Sequence, residues 1–206
     1  MKPNRRNRAF TLVELLIVIA IVGVLSTLAV YGIRRYIASA KTAEARYALG
    51  AIGRGSMAAA QSHGTPSVMP PDGGMEPGPP KTWKDWLFTP IPGGGLLLPV
   101  PIVVPAGVKY QASSLPGVDF QQEGWKRIHF QLTEPQHYQY HLNAGAGYLG
   151  PALGGPDPGA AGAEAAAVGD LDGDGVFGTF TLAMSWDPVT GDARMATQIF
   201  VDNEFE

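Results

Sequence analysis

The stretch "RAFTLVELLIVIAIVGVLSTLAVYGI", residues 8–33, decides the fold of this chain. Its last 19 residues, 15–33, carry no charged side chain. A helix of that length is about enough to cross a hydrocarbon core roughly 30 Å thick. The pattern therefore predicts a transmembrane helix near the start of the chain.

A basic leader precedes the apolar segment. Four positive charges lie before residue 10, on Lys2, Arg5, Arg6 and Arg8. Such a cluster favours a cytoplasmic N-terminus. A secretory signal peptide has an apolar run of about 7–15 residues followed by a small-residue cleavage site. Here the small residue, Ala9, comes before the run. Cleavage after Ala9 keeps the apolar helix in the mature chain, whereas an uncleaved segment is a simple anchor.

One carboxylate, Glu14, lies inside the apolar stretch, and the next charged residue is Arg34. An acid placed at mid-bilayer costs roughly 2.5–3.5 kcal/mol on insertion scales. A simple anchor gives no reason for that cost. The sequence therefore predicts that Glu14 has a partner.

The segment "AFTLVELLIVIAIVGVLSTLAVYGI" resembles the class III signal and hydrophobic helix of type IV pilins and of the related type II secretion pseudopilins. The matching residues are Arg8, Ala9, Phe10, Thr11, Leu12, Glu14 and Gly23. The chain departs from the family pattern at two positions. It has Ala9 where the family usually has Gly, and Tyr31 where many pilins have Pro.

The resemblance implies a processing pathway and a set of partners. A prepilin peptidase is expected to cut before Phe10 and to N-methylate the new amino group. Glu14 is then expected to pair with the Phe10 amine of a neighbouring subunit during assembly. The implied partners are identical or related pilin subunits, the peptidase, the inner-membrane assembly machinery, and membrane lipid before assembly. The implied locations are the inner membrane for the precursor, then an extracellular filament or a periplasmic pseudopilus.

The helical pattern continues in residues 34–63. Small and aromatic side chains recur there at spacings of three and four, which predicts one helical stripe: Tyr36, Ala40, Ala43, Tyr47 and Ala51. Three glycines, Gly50, Gly53 and Gly55, are expected to loosen the end of the helix. One helix is therefore predicted from about residue 10 to residue 63, and its second half needs a soluble packing partner.

Residues 64–118 are rich in Pro and Gly. Pro does not occur in central strands, so this segment is predicted to be a connecting loop. A recognition loop is one interpretation. The favoured one is a connector whose aliphatic side chains pack on the core: Leu96, Leu97, Leu98, Ile102 and Val103.

Two hairpins are predicted in the rest of the chain. "KRIHFQL" and "HYQYHL", within residues 126–143, alternate apolar and polar side chains about the turn "TEPQ". Residues 176–201 alternate in the same way about "DPVTGD". Two such hairpins make a four-stranded antiparallel sheet, and the amphipathic half of the long helix is the candidate to cover its apolar face. The predicted class is α+β, and the pilin resemblance implies the same architecture.

An acidic loop, "GDLDGDG", spans residues 169–175. Asp170, Asp172 and Asp174 followed by Gly175 match the first half of an EF-hand calcium loop. The twelfth position is Thr181 instead of Glu, and a strand is predicted to follow, so the loop is not an EF-hand. We predict either a calcium site of another type, with further ligands from Asp157 or Glu164, or a loop of Asx turns that leads into a strand.

The composition and the motifs of the chain argue against several classes of function. After residue 157 the chain has nine acidic residues and one basic residue, Arg194, so no basic patch for nucleic acid is evident there. The chain has no Cys, which excludes disulfides and thiol chemistry. No Ser–His–Asp set, carboxylate pair or phosphate loop is recognisable, and we predict that the protein is not an enzyme.

The function predicted from the sequence is that of a type IV pilin-like structural subunit that polymerises into a surface filament for adhesion, motility or DNA uptake. The alternatives are a type II secretion pseudopilin or minor pilin, and a membrane-anchored monomeric binding module. The predicted organisation is a leader, an assembly helix, an amphipathic half-helix, a connecting loop and the sheet part of a globular head, at residues 1–9, 10–33, 34–63, 64–118 and 119–206.

Overall fold

The computed structural model describes residues 11–63, 98–187, 190 and 192–206. The chain divides into two compact units, Met1–Ser39 and Ala40–Glu206, and we call the second unit the head. The described helices are α1 (Leu12–His63) and α2 (Glu123–Arg127), with short 3₁₀ turns at Asp119–Gln121 and Gly150–Leu153. The strands are β1 (Tyr138–Ala144), β2 (Ala163–Gly169), β3 (Gly178–Trp186), β4 (Ala193–Met195) and β5 (Phe200–Asp202).

The predicted long helix is confirmed as α1. In the first unit its large apolar side chains between Leu12 and Ile33 are 49–78% exposed, on all sides of the helix. The helix is long and apolar enough to cross a membrane by length and composition. A helix that is apolar all round needs lipid or other protein around it.

In the head, α1 packs on the sheet through a stripe different from the predicted one. Its buried side chains recur every three or four residues: Ala45, Leu49, Ile52, Ser56 and Ala59. Tyr36 and Tyr47, which the predicted stripe contained, are 76% and 71% exposed. The packing face is therefore set by Leu49 and Ile52, which join the same cluster as the apolar side chains of the sheet.

Two glycines of α1 allow close packing, and the helix continues past them to His63. A Cβ at Gly53 would lie 2.5 Å from Met195 Sδ, and one at Gly55 would collide with the carbonyl oxygen of Ile128. That the glycines loosen the end of the helix stays a prediction, although α1 runs through them unbroken. At Gly55 a backbone carbonyl leaves no room for a Cβ, whereas at Gly53 the space is filled by the side chains of Met195 and Leu182.

In the part of the chain that the structure describes, the sheet is antiparallel and has five strands, not four. Its order is β1-β2-β3-β4, and β5 also pairs with β3. Rows of buried side chains cross it: Tyr140, Ala167 and Phe180 form one row, and Leu142, Ala165 and Leu182 the next. In each row a small alanine lies between two large side chains. This leaves room for Leu49 and Ile52 of α1 in the same core.

The first predicted hairpin is wrong. Only Tyr138–Ala144 is a strand, and its partner is β2 instead of residues 126–132. Residues 123–127 form α2, and His129 has a positive φ of 52°, which an extended strand does not have. The apolar alternation arises because Ile128 and Phe130 enter the core from an irregular segment. Phe130 packs there against Phe120 and Trp125, with ring centroids 5.3 and 5.6 Å away.

Strand β2, "AEAAAVG", was not predicted. Alanine is depleted in strands, and the segment has no alternation of apolar and polar residues. All seven residues are buried. A strand buried on both faces loses the alternation by which strands are usually recognised.

The second predicted hairpin is confirmed in its first part. β3 pairs with β4 in the register Met184↔Met195, and the predicted turn at 187–192 lies partly outside the described residues. The returning chain then leaves the sheet and pairs again as β5, with Phe180 opposite Val201. This interruption gives the fifth strand.

The face of the sheet that carries Gln139 and His141 is covered by loop segments. Gln139 Nε2 donates to the carbonyl oxygens of Pro101 and Ile102 at 2.8 and 2.9 Å. His141 Nε2 lies 2.7 Å from Gln139 Oε1, and burial lowers the pKa of His141 to about 4. The loop segments around residues 101 and 150 therefore form a second layer, and His141 is neutral at physiological pH.

The described part of the connecting loop, residues 98–118, adds backbone pairs to the sheet edge. Val100 exchanges two hydrogen bonds with Tyr140, and Tyr110 two with Gln136. Ile102 and Val103 are 72% and 76% exposed, so the expectation that they pack on the core is wrong. Leu96 and Leu97 lie outside the described residues. The described part of the loop is held at the sheet edge by these backbone hydrogen bonds.

Candidate functional site

Thr11 and Glu14 form a reciprocal hydrogen-bonded pair at the start of α1. The Glu14 carboxylate accepts through Oε2 from the Thr11 backbone N–H at 2.9 Å and from the Thr11 hydroxyl at 2.8 Å. The Glu14 backbone N–H donates in return to Thr11 Oγ1 at 3.2 Å. This arrangement is a capping box, which satisfies backbone donors that a helix start leaves unpaired.

This role of Glu14 was not predicted. The sequence does contain the pattern that indicates it, because "TLVE" at residues 11–14 has the Thr-x-x-Glu spacing of a capping box. Glu14 Oε1 makes no hydrogen bond to any residue that the structure describes. Within the described residues, only Oε2 of the carboxylate takes part in the capping box. Ala9 and Phe10 lie outside the described residues.

The acidic loop brings three carboxylates together. Asp170, Asp172 and Asp174 each offer an oxygen, and these oxygens lie within 4.8 Å of one another. Asp170 is buried at 3% exposure, and the other two are exposed. The loop is held by β2, which ends at Gly169, and by β3, which begins at Gly178.

Backbone hydrogen bonds hold each carboxylate of the loop. Asp170 accepts from the N–H of Gly173 at 2.6 Å through Oδ1, and from that of Gly175 at 3.1 Å through Oδ2. Asp172 and Asp174 each accept from the N–H two residues further on, at 3.3 and 2.7 Å. These are Asx turns, so the second sequence prediction for this loop describes its local geometry.

The donor set of the loop fits a hard cation such as calcium, since it offers several carboxylate oxygens on a turn with glycines at positive φ. The two further ligands that the sequence suggested are used elsewhere. Both oxygens of Glu164 accept backbone N–H groups, from Leu149 and Gly150, and Asp157 accepts from Gly159. The loop also acts on Glu206: desolvation and the charges of the three loop aspartates raise the pKa of its carboxyl.

Residues 4–30 match the family described as the prokaryotic N-terminal methylation motif. The chain carries the class III signal peptide of type IV pilins and pseudopilins. No curated protein and no solved structure has significant similarity to the chain. The structure agrees with the pilin-type motif, since it has a long N-terminal helix and an antiparallel sheet in a pilin-like α+β arrangement.

The Thr11–Glu14 pair lies within the pilin-type motif, which spans residues 4–30. The motif implies processing by a prepilin peptidase, and together with the apolar helix it is consistent with membrane insertion of the precursor. It also points to a structural protein. The capping box lies directly after the expected cleavage position.

Proposed function

We propose that this chain is a pilin-like structural subunit, cut before Phe10 and assembled through α1 into a helical filament. The observation that carries the proposal is a methylation motif that leads into a helix exposed on every side. Once the precursor leaves the bilayer, such a surface is stable only against other apolar helices. The compact head follows the exposed apolar half of this helix in the sequence and would form the outer surface of the filament.

Two other functions remain as alternatives. A secretion pseudopilin or minor pilin would share the same processing and differ in abundance and location. A membrane-anchored monomeric binding module would keep its leader and form no filament. Shearing of the cell surface followed by intact-mass identification of the main filament protein separates the abundant pilin from the other two.

The mature chain is expected to begin at Phe10, because the small Ala9 follows the basic leader and precedes the apolar helix. N-terminal mass analysis of assembled material checks this and also reports methylation. Ala9→Gly should process as fast as the parent or faster. Assembled chains that begin at Met1 or Lys2 would contradict the proposal.

We propose further that the Glu14 carboxylate has two roles, one for each oxygen. Its Oε2 caps α1 through Thr11, while Oε1 receives the Phe10 amine of a neighbouring subunit. The capping contact supports this assignment, because it fixes the carboxylate at the end of the helix where a new amine appears after cleavage. Leaving a buried charge unpaired costs about 3–5 kcal/mol, so this contact would set the register between subunits.

We also propose that the acidic loop binds calcium. The support is the close approach of the oxygens of Asp170, Asp172 and Asp174, since like charges repel unless a cation neutralises them. Backbone carbonyl oxygens and water would complete the coordination.

Calcium in millimolar excess is expected to raise the melting temperature of a fragment that spans Ala40–Glu206. A ligand that binds only the folded state adds about 2.7 kcal/mol at a hundredfold excess over Kd. Asp172→Ala should lose most of this shift, and Asp192→Ala, an acid elsewhere in the head, should keep it. Identical melting with calcium and with chelator, in both the parent and Asp172→Ala, would refute the site.

A further inference from the structure

The acidic loop contains two Asp–Gly pairs, Asp172–Gly173 and Asp174–Gly175, and all four residues are exposed. In such pairs the glycine amide nitrogen attacks the carboxyl carbon of the preceding aspartate. A C–N bond forms, the amide proton and the hydroxyl of the protonated carboxyl leave together as water, and a cyclic succinimide results. Water then opens the ring on either side and gives aspartate or isoaspartate, with no net change in mass. Glycine favours the reaction because it has no Cβ to hinder the approach.

Both attacking nitrogens are held by one buried carboxylate. Gly173 N–H donates to Asp170 Oδ1 at 2.6 Å, and Gly175 N–H donates to Asp170 Oδ2 at 3.1 Å. Asp170 is fixed in turn at the end of β2, where its carbonyl oxygen accepts from Gly107 N–H at 2.7 Å. The two glycine amides that would react are therefore bound by a single side chain with a fixed position.

This contact opposes the chemistry in two ways. The amide nitrogen must give up its proton before it attacks, and an anion next to the Asp170 carboxylate is disfavoured by like-charge repulsion. The nitrogen must also leave a charge-assisted hydrogen bond, which is stronger than one between neutral groups. The side chains of Asp172 and Asp174 are themselves turned to amides two residues further on.

We propose that Asp172–Gly173 and Asp174–Gly175 are latent isoaspartate sites, and that Asp170 suppresses the reaction at both by binding the Gly173 and Gly175 amides. This role does not depend on filament assembly or on calcium. It assigns a function to Asp170, whose carboxylate is buried whereas those of the other two loop aspartates are exposed. A subunit that stays in a long-lived assembly would benefit, because it is not replaced by new synthesis.

The test uses the full chain in detergent, with a chelator present, incubated at neutral pH and physiological temperature. Peptide mapping with electron-transfer fragmentation distinguishes isoaspartate from aspartate at each position. In Asp170→Ala we expect isoaspartate to form at residues 172 and 174 about tenfold faster than in the parent, which corresponds to about 1.4 kcal/mol of activation free energy. Asp170→Asn keeps one acceptor oxygen, so we expect acceleration mainly at one of the two sites.

A second variant separates this role from general stability. Gly55→Ala weakens the head at α1 without touching the loop, because its new Cβ meets the Ile128 carbonyl. It should show the same isoaspartate rates as the parent while it remains folded. The proposal would be overturned if isoaspartate formed at equal rates in the parent and in Asp170→Asn at both sites. It would also be overturned if Gly55→Ala showed the same acceleration as the Asp170 variants.

Discussion

Cells that make only Glu14→Val protein are expected to insert and cut the precursor but to assemble few or no filaments. On the proposed pairing, the substitution would leave the Phe10 amine of each neighbouring subunit without its carboxylate in an apolar interface. An unpaired buried charge costs about 3–5 kcal/mol per contact, which is enough to prevent assembly at each added subunit. Electron microscopy and sheared-filament yield measure the loss, and N-terminal mass analysis verifies the processing. Normal filament yield would contradict the pairing.

The matched control for Glu14→Val is a variant that keeps the capping box but removes the charge. Glu14→Gln keeps a side-chain oxygen for Thr11, since Gln also serves in a capping box, but it removes the negative charge. If pairing is the role of Glu14, Gln should lose filaments nearly as completely as Val. If Glu14 only caps the helix, Gln should assemble normally. Glu14→Asp, with the charge on a shorter side chain, should be intermediate.

The second large effect is expected in the head. Gly55→Ala should destabilise the fragment Ala40–Glu206 by about 1–3 kcal/mol, the usual cost of overpacking. The reason is the carbonyl oxygen of Ile128, a backbone atom that lies within collision distance of the new Cβ. Denaturant unfolding followed by circular dichroism measures the change.

Gly50→Ala is the control for Gly55→Ala. Its new Cβ meets only the flexible end of Arg54, at 3.2 Å, so the side chain can move away. Because Ala is favoured over Gly in a helix by about 1 kcal/mol, Gly50→Ala should stabilise the fragment or leave it unchanged. Destabilisation of equal size in both variants would show that the close approach at Gly55 has no energetic effect.

The N-terminal part of the molecule was predictable because its signals are local. A charge-free run, a basic leader and a motif contiguous in sequence specify a helix without any distant contact. The capping box of Thr11 and Glu14 is local as well, and its spacing alone would have revealed it. For the same reason the Asp170–Asp174 loop could be identified, since its turns are formed by neighbouring residues.

The head was predictable only in outline. An alternating pattern identified β1 and β3, whose large side chains face one core, and the turn after β3 suggested its hairpin. The same alternation at Ile128 and Phe130 was misleading, because an irregular segment can place every second side chain in a core. Periodicity reports burial, and a strand is one of several ways to produce it.

The sequence by itself determined the long helix, its apolar first half and the acidic loop, since each depends on contacts within a few residues. Only the tertiary structure decided which face of α1 is buried and why Gly55 has no room for a side chain, because Ile128 reaches it from a distant part of the chain. It also decided that the alanines of β2 form the centre of the sheet. Their place depends on the large neighbours Tyr140 and Phe180 on either side, which no local pattern in β2 reveals.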